Sequence, residues 1–399
     1  MVKREEASLR ILLKCLQAIF YSTNAILIPY LPLLMKSHGF SPLETGSLLA
    51  IGPFIAIFAQ PLAGMISDKI GAIRPILIAL WTLMGVSALL LFTTGAQSVA
   101  AVAVVALNVF FLPAVSLLDA LMVKNAEQLN ETYSSLRLWG SVGFMLTLII
   151  VGGQFDAWGG VHALVWIFAP IWIGVFVIFM IMREPKIEHA SDESSETRLS
   201  RPMLRRALLN PSLFIFLGLI FLVAIPHRMN DTLLSLHMEH LGANSRQISW
   251  AWAVAGASEV IGFYVMAKII RGDRLKQLLG LTALLYAIRW GLYMFITEPW
   301  AIVALQVTHM FTYVVIWAGS IEYISTSLPK QIVATGQALL SMVFIGLGGL
   351  AGGSIGGAIQ EHIGESAMYA MGVVCAAVAW IGFMVWSRRS NVEAVLQEA

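Results

Sequence analysis

The chain has 399 residues, of which 58% are hydrophobic and 12% charged, with a formal net charge of +2 and a mean hydropathy of +0.80. A soluble domain carries about 25% charged residues, so this composition excludes an ordinary soluble globular protein, and the small net charge, with basic residues in short loops, gives no basis for nucleic-acid binding. It describes an all-α, multi-pass membrane protein, because spans of about 20 residues in lipid must satisfy their own backbone hydrogen bonds as helices.

Apolar length and polar breaks predict twelve transmembrane helices, over 11–34, 44–67, 75–94, 97–123, 134–153 and 163–182, then 211–236, 247–270, 276–296, 299–326, 334–358 and 366–387. The 11–34 stretch is too long for a signal-peptide core and has no small-residue cleavage site, so it is expected to remain as the first helix. Its Pro29 and Pro32 predict a bend, and Asn24 is a polar group that needs a partner in lipid and is expected to face solute. Cys15 here and Cys375 in the last helix read as buried thiols rather than a disulfide.

After the second helix comes the loop Gly64-Met-Ile-Ser-Asp68-Lys69-Ile-Gly71-Ala-Ile-Arg74. Gly64 is expected to permit a close helix contact, Asp68 to accept from helix N-terminal amides or pair with a cation, and Gly71 to turn the chain.

Asp119 in the fourth span is the first of several charged residues at bilayer depth; Arg137, Asp231, Glu259, Arg289 and His309 follow. An ionised side chain there costs about 2.5–3.5 kcal/mol on insertion scales, so such groups face a partner or a watery path. Arg137 opens the fifth helix within Arg137-Leu-Trp139-Gly140-Ser141-Val-Gly143-Phe144. Its guanidinium offers five donors in a fork, suited to a carboxylate or to several sugar hydroxyls; the competing reading is a helix-end arginine at the cytoplasmic mouth. Asp119 either contacts solute or pairs with Arg137. Trp139 and Phe144, and Trp317 further on, either stack on a solute ring or pack the helices.

Residues 183–210 form a polar run rich in Ser, Glu and Arg, read as a flexible cytoplasmic linker. It separates an N-terminal six-helix bundle over 1–182 from a C-terminal six-helix bundle over 211–387, with a cytoplasmic tail over 388–399. The seventh helix carries Pro226-His227-Arg228-Met-Asn230-Asp231, polar enough to line a solute path. Glu259 in the eighth helix is placed to exchange a proton or to pair with Arg289 in the ninth. His309 in the tenth either titrates or holds one structural hydrogen bond. The glycine run from Gly346 to Gly357 in the eleventh reads as a close-packing face, since no strand precedes it as a nucleotide loop requires.

Lys and Arg gather at the N-terminus, at Lys69 and Arg74, in the linker and at Arg388 and Arg389, so the positive-inside rule puts both termini in the cytoplasm. The halves also share a register. Gly39 and Gly242, 203 positions apart, each end an apolar run, and the same offset lays Asn24 on His227 and Asp119 on Glu322. This fits two parallel repeats with a solute site between them.

The loop Gly64, Asp68, Lys69, Gly71, Arg74 resembles the signature between the second and third helices of the major facilitator superfamily. The chain also resembles its phenylpropionate permease branch and, more distantly, the lactose permease. Asp119 and Arg137 have the spacing of an acid and an arginine on those helices, and Glu259, Arg289 and the run Gln306-Val-Thr-His309-Met-Phe-Thr312 match their C-terminal counterparts. Two departures stand out: Thr312 replaces the carboxylate tied to proton release, and Gln306 replaces a lysine.

The resemblance implies the major facilitator fold and secondary active transport, by alternating access across the cytoplasmic membrane, of a small polar organic solute. Candidates are an aromatic carboxylate such as phenylpropionate, or a sugar. Asn24, Asp119, Arg137, Trp139, Phe144, His227, Asn230 and Asp231 are expected to bind solute, and Glu259, Arg289 and His309 to couple protons. The alternatives are a proton-driven exporter of drugs or metabolites and a nucleoside or sugar permease of the same fold. No HExxH, GxSxG or Cys/His cluster is present, so no enzyme activity, metal or cofactor is expected. The expected drive is a proton gradient, and the expected partners are solute, protons and lipid, with the chain a monomer.

Overall fold

The computed structural model describes residues 2–129, 131–182, 210–266, 275–329 and 332–398. The expected linker lies outside them except for Asn210. Twelve helices follow one another and no strand occurs among the described residues. They are α1 (Val2–Ser37), α2 (Pro42–Ile70), α3 (Arg74–Thr93), α4 (Gln97–Gln128), α5 (Tyr133–Gln154), α6 (Leu164–Ile181), α7 (Pro211–His240), α8 (Ser245–Met266), α9 (Leu275–Tyr293), α10 (Pro299–Ser327), α11 (Val333–His362) and α12 (Glu365–Glu398). Eleven are long and apolar enough to cross a membrane; α9, which carries Lys276, Gln277 and Arg289, is not among them.

Local chemistry sets the helix starts. Thr132 caps α5 by accepting from the Ser135 amide, and Asn244 and Gln247 exchange side-chain-to-backbone bonds of 3.0 Å before the first turns of α8. The ends of α1 and α7 are alike. Gly39 (φ +86°) and Gly242 (φ +83°) adopt the left-handed conformation that closes a helix. Around them Gly39 N bonds Lys36 O and Phe40 N bonds Met35 O, as Gly242 N bonds Glu239 O and Ala243 N bonds Met238 O. These two bonds thus recur at the register read from the sequence, and Lys36 reaches Glu239, its equivalent 203 positions on, at 3.0 Å.

The chain gathers into two compact units. One takes the described residues of Met1–Ser41, Leu48–Glu193 and Met238–Ala253; the other takes those of Pro42–Ser47, Ser194–His237 and Val254–Ala399. The first turn of α2 therefore belongs to the second unit, and the end of α7 with the start of α8 to the first.

In the first unit Phe20, Trp81, Phe111 and Phe179 form the aromatic centre. Trp81 and Trp172 lock α3 to α6 by each donating its indole N–H to the other's carbonyl, at 3.0 and 2.9 Å. Small residues let α1 lie against α5: a Cβ at Gly143 would collide with the Ala18 carbonyl. Thr147 donates to the Ser22 hydroxyl at 2.8 Å across the same seam. The start of α8 is fastened to this unit by Tyr30 with Ser249 and by Ser245 donating to Asp156 at 2.6 Å.

In the second unit α11 presents its glycines on two sides. Gly348, Gly352 and Gly356 meet Ala224, Ile225 and Met229 of α7, while Gly353 and Gly357 meet Gly46, Pro42 and Leu43. A Cβ at Gly348, Gly352, Gly356 or Gly357 would strike its neighbour, and one at Gly46 would strike the Gly353 backbone, so the glycine run is a packing face, as expected.

Two expectations change. Cys15 is exposed on α1 and Cys375 only partly buried, although both thiols are free as expected; an apolar helix residue turned outward meets lipid at no cost, so apolarity did not imply burial. Gly64 makes no close contact, since a Cβ there would meet nothing within 4 Å.

Candidate functional site

In the first unit the guanidinium of Arg137 lies over the Tyr21 ring, 3.8 Å from its centroid. Gly140, one turn along α5, leaves room for this, since a Cβ there would sit 2.7 Å from Tyr21 and 2.9 Å from Arg137. Asp119 of α4 interacts with the Tyr133 hydroxyl and feels the Arg137 charge without a direct ion pair among the described residues. Its Oδ1 is buried without a hydrogen-bond partner. Arg137, Tyr21, Asp119 and Tyr133 thus form one polar group, with Arg137 donors left for another acceptor. Asn24 on α1 is partly buried and makes no hydrogen bond among the described residues.

The two aromatic candidates on α5 part company. Phe144 packs in the interior against Ala25, Leu148 and Ala253. Trp139 is 42% exposed, two residues and therefore about 200° around the helix from Arg137. It shares the outward face with exposed Leu146 and Ile150.

At the loop after α2, Gly71 (φ +73°) makes the turn, and Arg74 donates to the last carbonyls of α6, Phe179 at 2.6 Å and also Met180. This is a cation at a helix C-terminus, where the backbone dipole favours it. Asp68 and Lys69 are exposed, and Asp68 makes no side-chain contact among the described residues.

The second unit holds a larger network. Arg289 of α9 is 2% exposed. Its Nη1 donates to His309 Nδ1 at 3.1 Å and to Thr312 Oγ1 at 2.9 Å, and its Nη2 to Gln306 Oε1 at 2.6 Å. His309 Nε2 in turn lies 2.9 Å from Glu259 Oε1 on α8. Gln306 and Thr312, the two departures from the lactose-permease pattern, are therefore the neutral acceptors of a buried arginine that touches no carboxylate among the described residues. Beside it, His227 Nδ1 meets the Tyr286 hydroxyl at 3.1 Å and its Nε2 lies 3.4 Å from Asp231, which Arg228 also holds at 2.9 Å. The Tyr369 hydroxyl donates to Asn230 at 3.2 Å.

Helix irregularities surround these residues. Pro226 precedes His227 inside α7. A 3₁₀ turn at Gln306–Thr308 precedes His309, and Ser258 donates to the Gln306 carbonyl. A π-helical stretch at Met342–Leu347 in α11 sets Phe344 against His227, Tyr313 and Trp317. Breaks of this kind in a membrane helix are tolerated where side chains satisfy the displaced backbone, and π segments recur at functional positions. His309, Tyr313 and Trp317 stack in turn along α10, at 5.1 and 6.3 Å between ring centres.

The sequence singled out Glu259, Arg289 and His309, and the structure brings all three together, with Glu259 joined to His309 rather than to Arg289. It did not single out Tyr21, Tyr133, Tyr286 or Tyr313. A tyrosine in an apolar helix reads as packing until its neighbours are known. Among the described residues no group of three or more His, Cys, Asp or Glu converges as a metal site.

Residues 11–371 match the family model described as the MFS_1 like family. Curated relatives include a probable 3-phenylpropionic acid transporter of Escherichia coli (strain K12), 27% identical with 89% of this chain and 92% of the relative covered. A maltose permease of Geobacillus stearothermophilus is 24% identical over 94% of this chain and 93% of its own. Among solved structures, the nucleoside transporter NupG superposes with a TM-score of 0.80 at 14% identity, covering 95% of this chain and 98% of that one; a likeness at that identity concerns the fold.

Proposed function

The chain belongs to the MFS_1 like family, and from that premise we propose that it is a secondary active transporter that carries a small polar organic solute across the cytoplasmic membrane by alternating access. The observation that carries this reading is the hydrogen-bonded series Glu259–His309–Arg289 inside a chain of apolar helices. Such groups are costly in lipid and carry no advantage for folding that apolar residues would lack.

The solute is an aromatic carboxylate of the phenylpropionate kind. A relative is named for 3-phenylpropionic acid. Arg137 has donors left after stacking on Tyr21. Arg137 takes the carboxylate in this reading, with Asp119 and Tyr133 orienting it and Asn24 contributing a polar contact. Glu259, His309 and Arg289 link solute movement to a proton, so transport is symport into a cytoplasm that also holds both termini. The protein is not an enzyme and works as a monomer. A sugar is the second reading, favoured by the maltose permease relative.

Uptake into proteoliposomes under an imposed proton gradient tests this, with labelled 3-phenylpropionate, maltose and a nucleoside side by side. Accumulation of 3-phenylpropionate that collapses with a protonophore is the expected result. Accumulation of maltose or the nucleoside alone would reassign the solute, and gradient-driven efflux would make the protein an exporter.

A further inference from the structure

We infer that His309 is a fixed neutral bridge and that Glu259 is the group of this network that takes up and releases the coupled proton. The inference rests on the proton-symport reading above and assigns its chemistry to one residue. It follows from donors and acceptors. An arginine guanidinium has five N–H donors and no acceptor. Arg289 Nη1 lies 3.1 Å from His309 Nδ1, so Nδ1 must be the lone-pair nitrogen and the ring proton must sit on Nε2. That nitrogen points at Glu259 Oε1, 2.9 Å away, and donates to it.

A second proton on the ring would place N–H against N–H at Arg289, two cations in contact with no acceptor between them. The Arg289 side chain cannot turn aside without leaving Thr312 and Gln306, which hold two of its other N–H groups. Thr312 is itself committed, its hydroxyl donating to the Thr308 carbonyl at 2.9 Å and accepting from Arg289.

Glu259 has no such restriction. Its side chain is 35% exposed against 9% for His309, so water reaches the carboxylate more readily than the ring. A protonated Glu259 still accepts the His309 N–H through its carbonyl oxygen, and the proton comes and goes with the bridge unmoved. The other charged and titratable groups facing the two histidines are Arg228 and Asp231 on α7, Tyr286 on α9 and Tyr313 on α10. His227 differs: its Nδ1 meets Tyr286, a hydroxyl that can donate or accept, so that nitrogen is open to a proton where Nδ1 of His309 is not.

Glutamine can copy the bridge, its amide oxygen accepting from Arg289 and its amide nitrogen donating to Glu259. The test compares wild type, His309→Gln and Glu259→Gln in proteoliposomes, reading 3-phenylpropionate counterflow, gradient-driven accumulation and solute-induced external alkalinisation across pH. His309→Gln is expected to transport more slowly, with the remaining uptake still coupled to alkalinisation and following the wild-type pH profile. Glu259→Gln is expected to lose accumulation and alkalinisation while retaining counterflow. Loss of both coupled readouts in His309→Gln with counterflow intact would overturn the inference, as would an unaltered pH profile in Glu259→Gln, which would move the proton to Asp231 or His227. A wild type that accumulates solute without moving protons would instead overturn the symport reading beneath it. Should His309→Gln fail to fold, nitrogen-15 NMR of labelled histidine in the wild type decides: the His309 signal is expected to be that of the Nε2–H tautomer at the pH of the uptake assay, and an Nδ1–H or imidazolium signal there would refute the inference.

Discussion

Arg289 and Glu259 never touch: His309 stands between them, 3.1 Å from the guanidinium and 2.9 Å from the carboxylate. A buried cation is thus balanced through an imidazole, and its direct contacts are all neutral. Removing Arg289 leaves the acceptors of His309, Thr312 and Gln306 unmet in a dry interior. Arg289→Met is expected to destabilise the protein by about 3–5 kcal/mol, and Arg289→Lys by less, because an ammonium keeps the charge but cannot span three acceptors. Thermal unfolding in detergent measures both.

Gln306→Glu should act in the opposite sense. The Gln306 Nε2 and the Arg289 Nε are both buried without partners, so a carboxylate in place of the amide removes one orphan and gives the guanidinium a charged acceptor. A stabilisation of about 1–3 kcal/mol is expected at neutral pH, together with slower gradient-driven uptake because Arg289 no longer depends on the bridge. A melting temperature at or below wild type would show that desolvating the new charge outweighs the contact.

Arg137→Ala is expected to weaken 3-phenylpropionate binding by about tenfold to a hundredfold, the worth of one charge-assisted hydrogen bond at about 1.5–3 kcal/mol. Arg137→Lys should restore little, since stacking over Tyr21 and forked donation both need the planar group. Isothermal titration on purified protein gives the ratio. Unchanged affinity in Arg137→Ala would leave the arginine as a helix-end residue.

The seam between α1 and α5 depends on an absent side chain. Gly143→Val forces a methyl into the Ala18 backbone and should cost about 1–3 kcal/mol or more. Gly153, on the same helix with open space around it, is the control: Gly153→Ala should lie within about 1 kcal/mol of wild type. Paired melting curves separate a packing effect from a helix-propensity effect.

The sequence carried the helices and the residue types of the site, because charge in an apolar run stands out against lipid. It did not carry the partners. Glu259 could have met Arg289 or His309, and only the rotation of α8, α9 and α10 about their own axes decides that. Trp139 and Phe144 differ for the same reason. In a soluble helix the polar face marks the outside, but here inside and outside are both apolar, so five positions along α5 one ring turns outward and the other inward without a change in hydropathy. The turn at Gly39 and Gly242 was legible because it is local: a glycine after an apolar run needs no distant partner to close a helix.

The π-helical stretch in α11 has a consequence for how this helix tolerates insertions and deletions. Met342–Leu347 winds more residues per turn than the helix on either side. A π turn holds about one residue more than an α turn over nearly the same rotation, so deleting one residue there would let the stretch rewind as an ordinary helix while the residues beyond it kept their facing. Gly348, Gly352 and Gly356 would stay against α7, and Gly353 and Gly357 against the start of α2, whereas the same deletion in the α-helical turns flanking this stretch would swing everything beyond it by about 100°. A frame-preserving loss of a single codon within Met342–Leu347 should therefore be better tolerated than the same loss in the α-helical turns on either side.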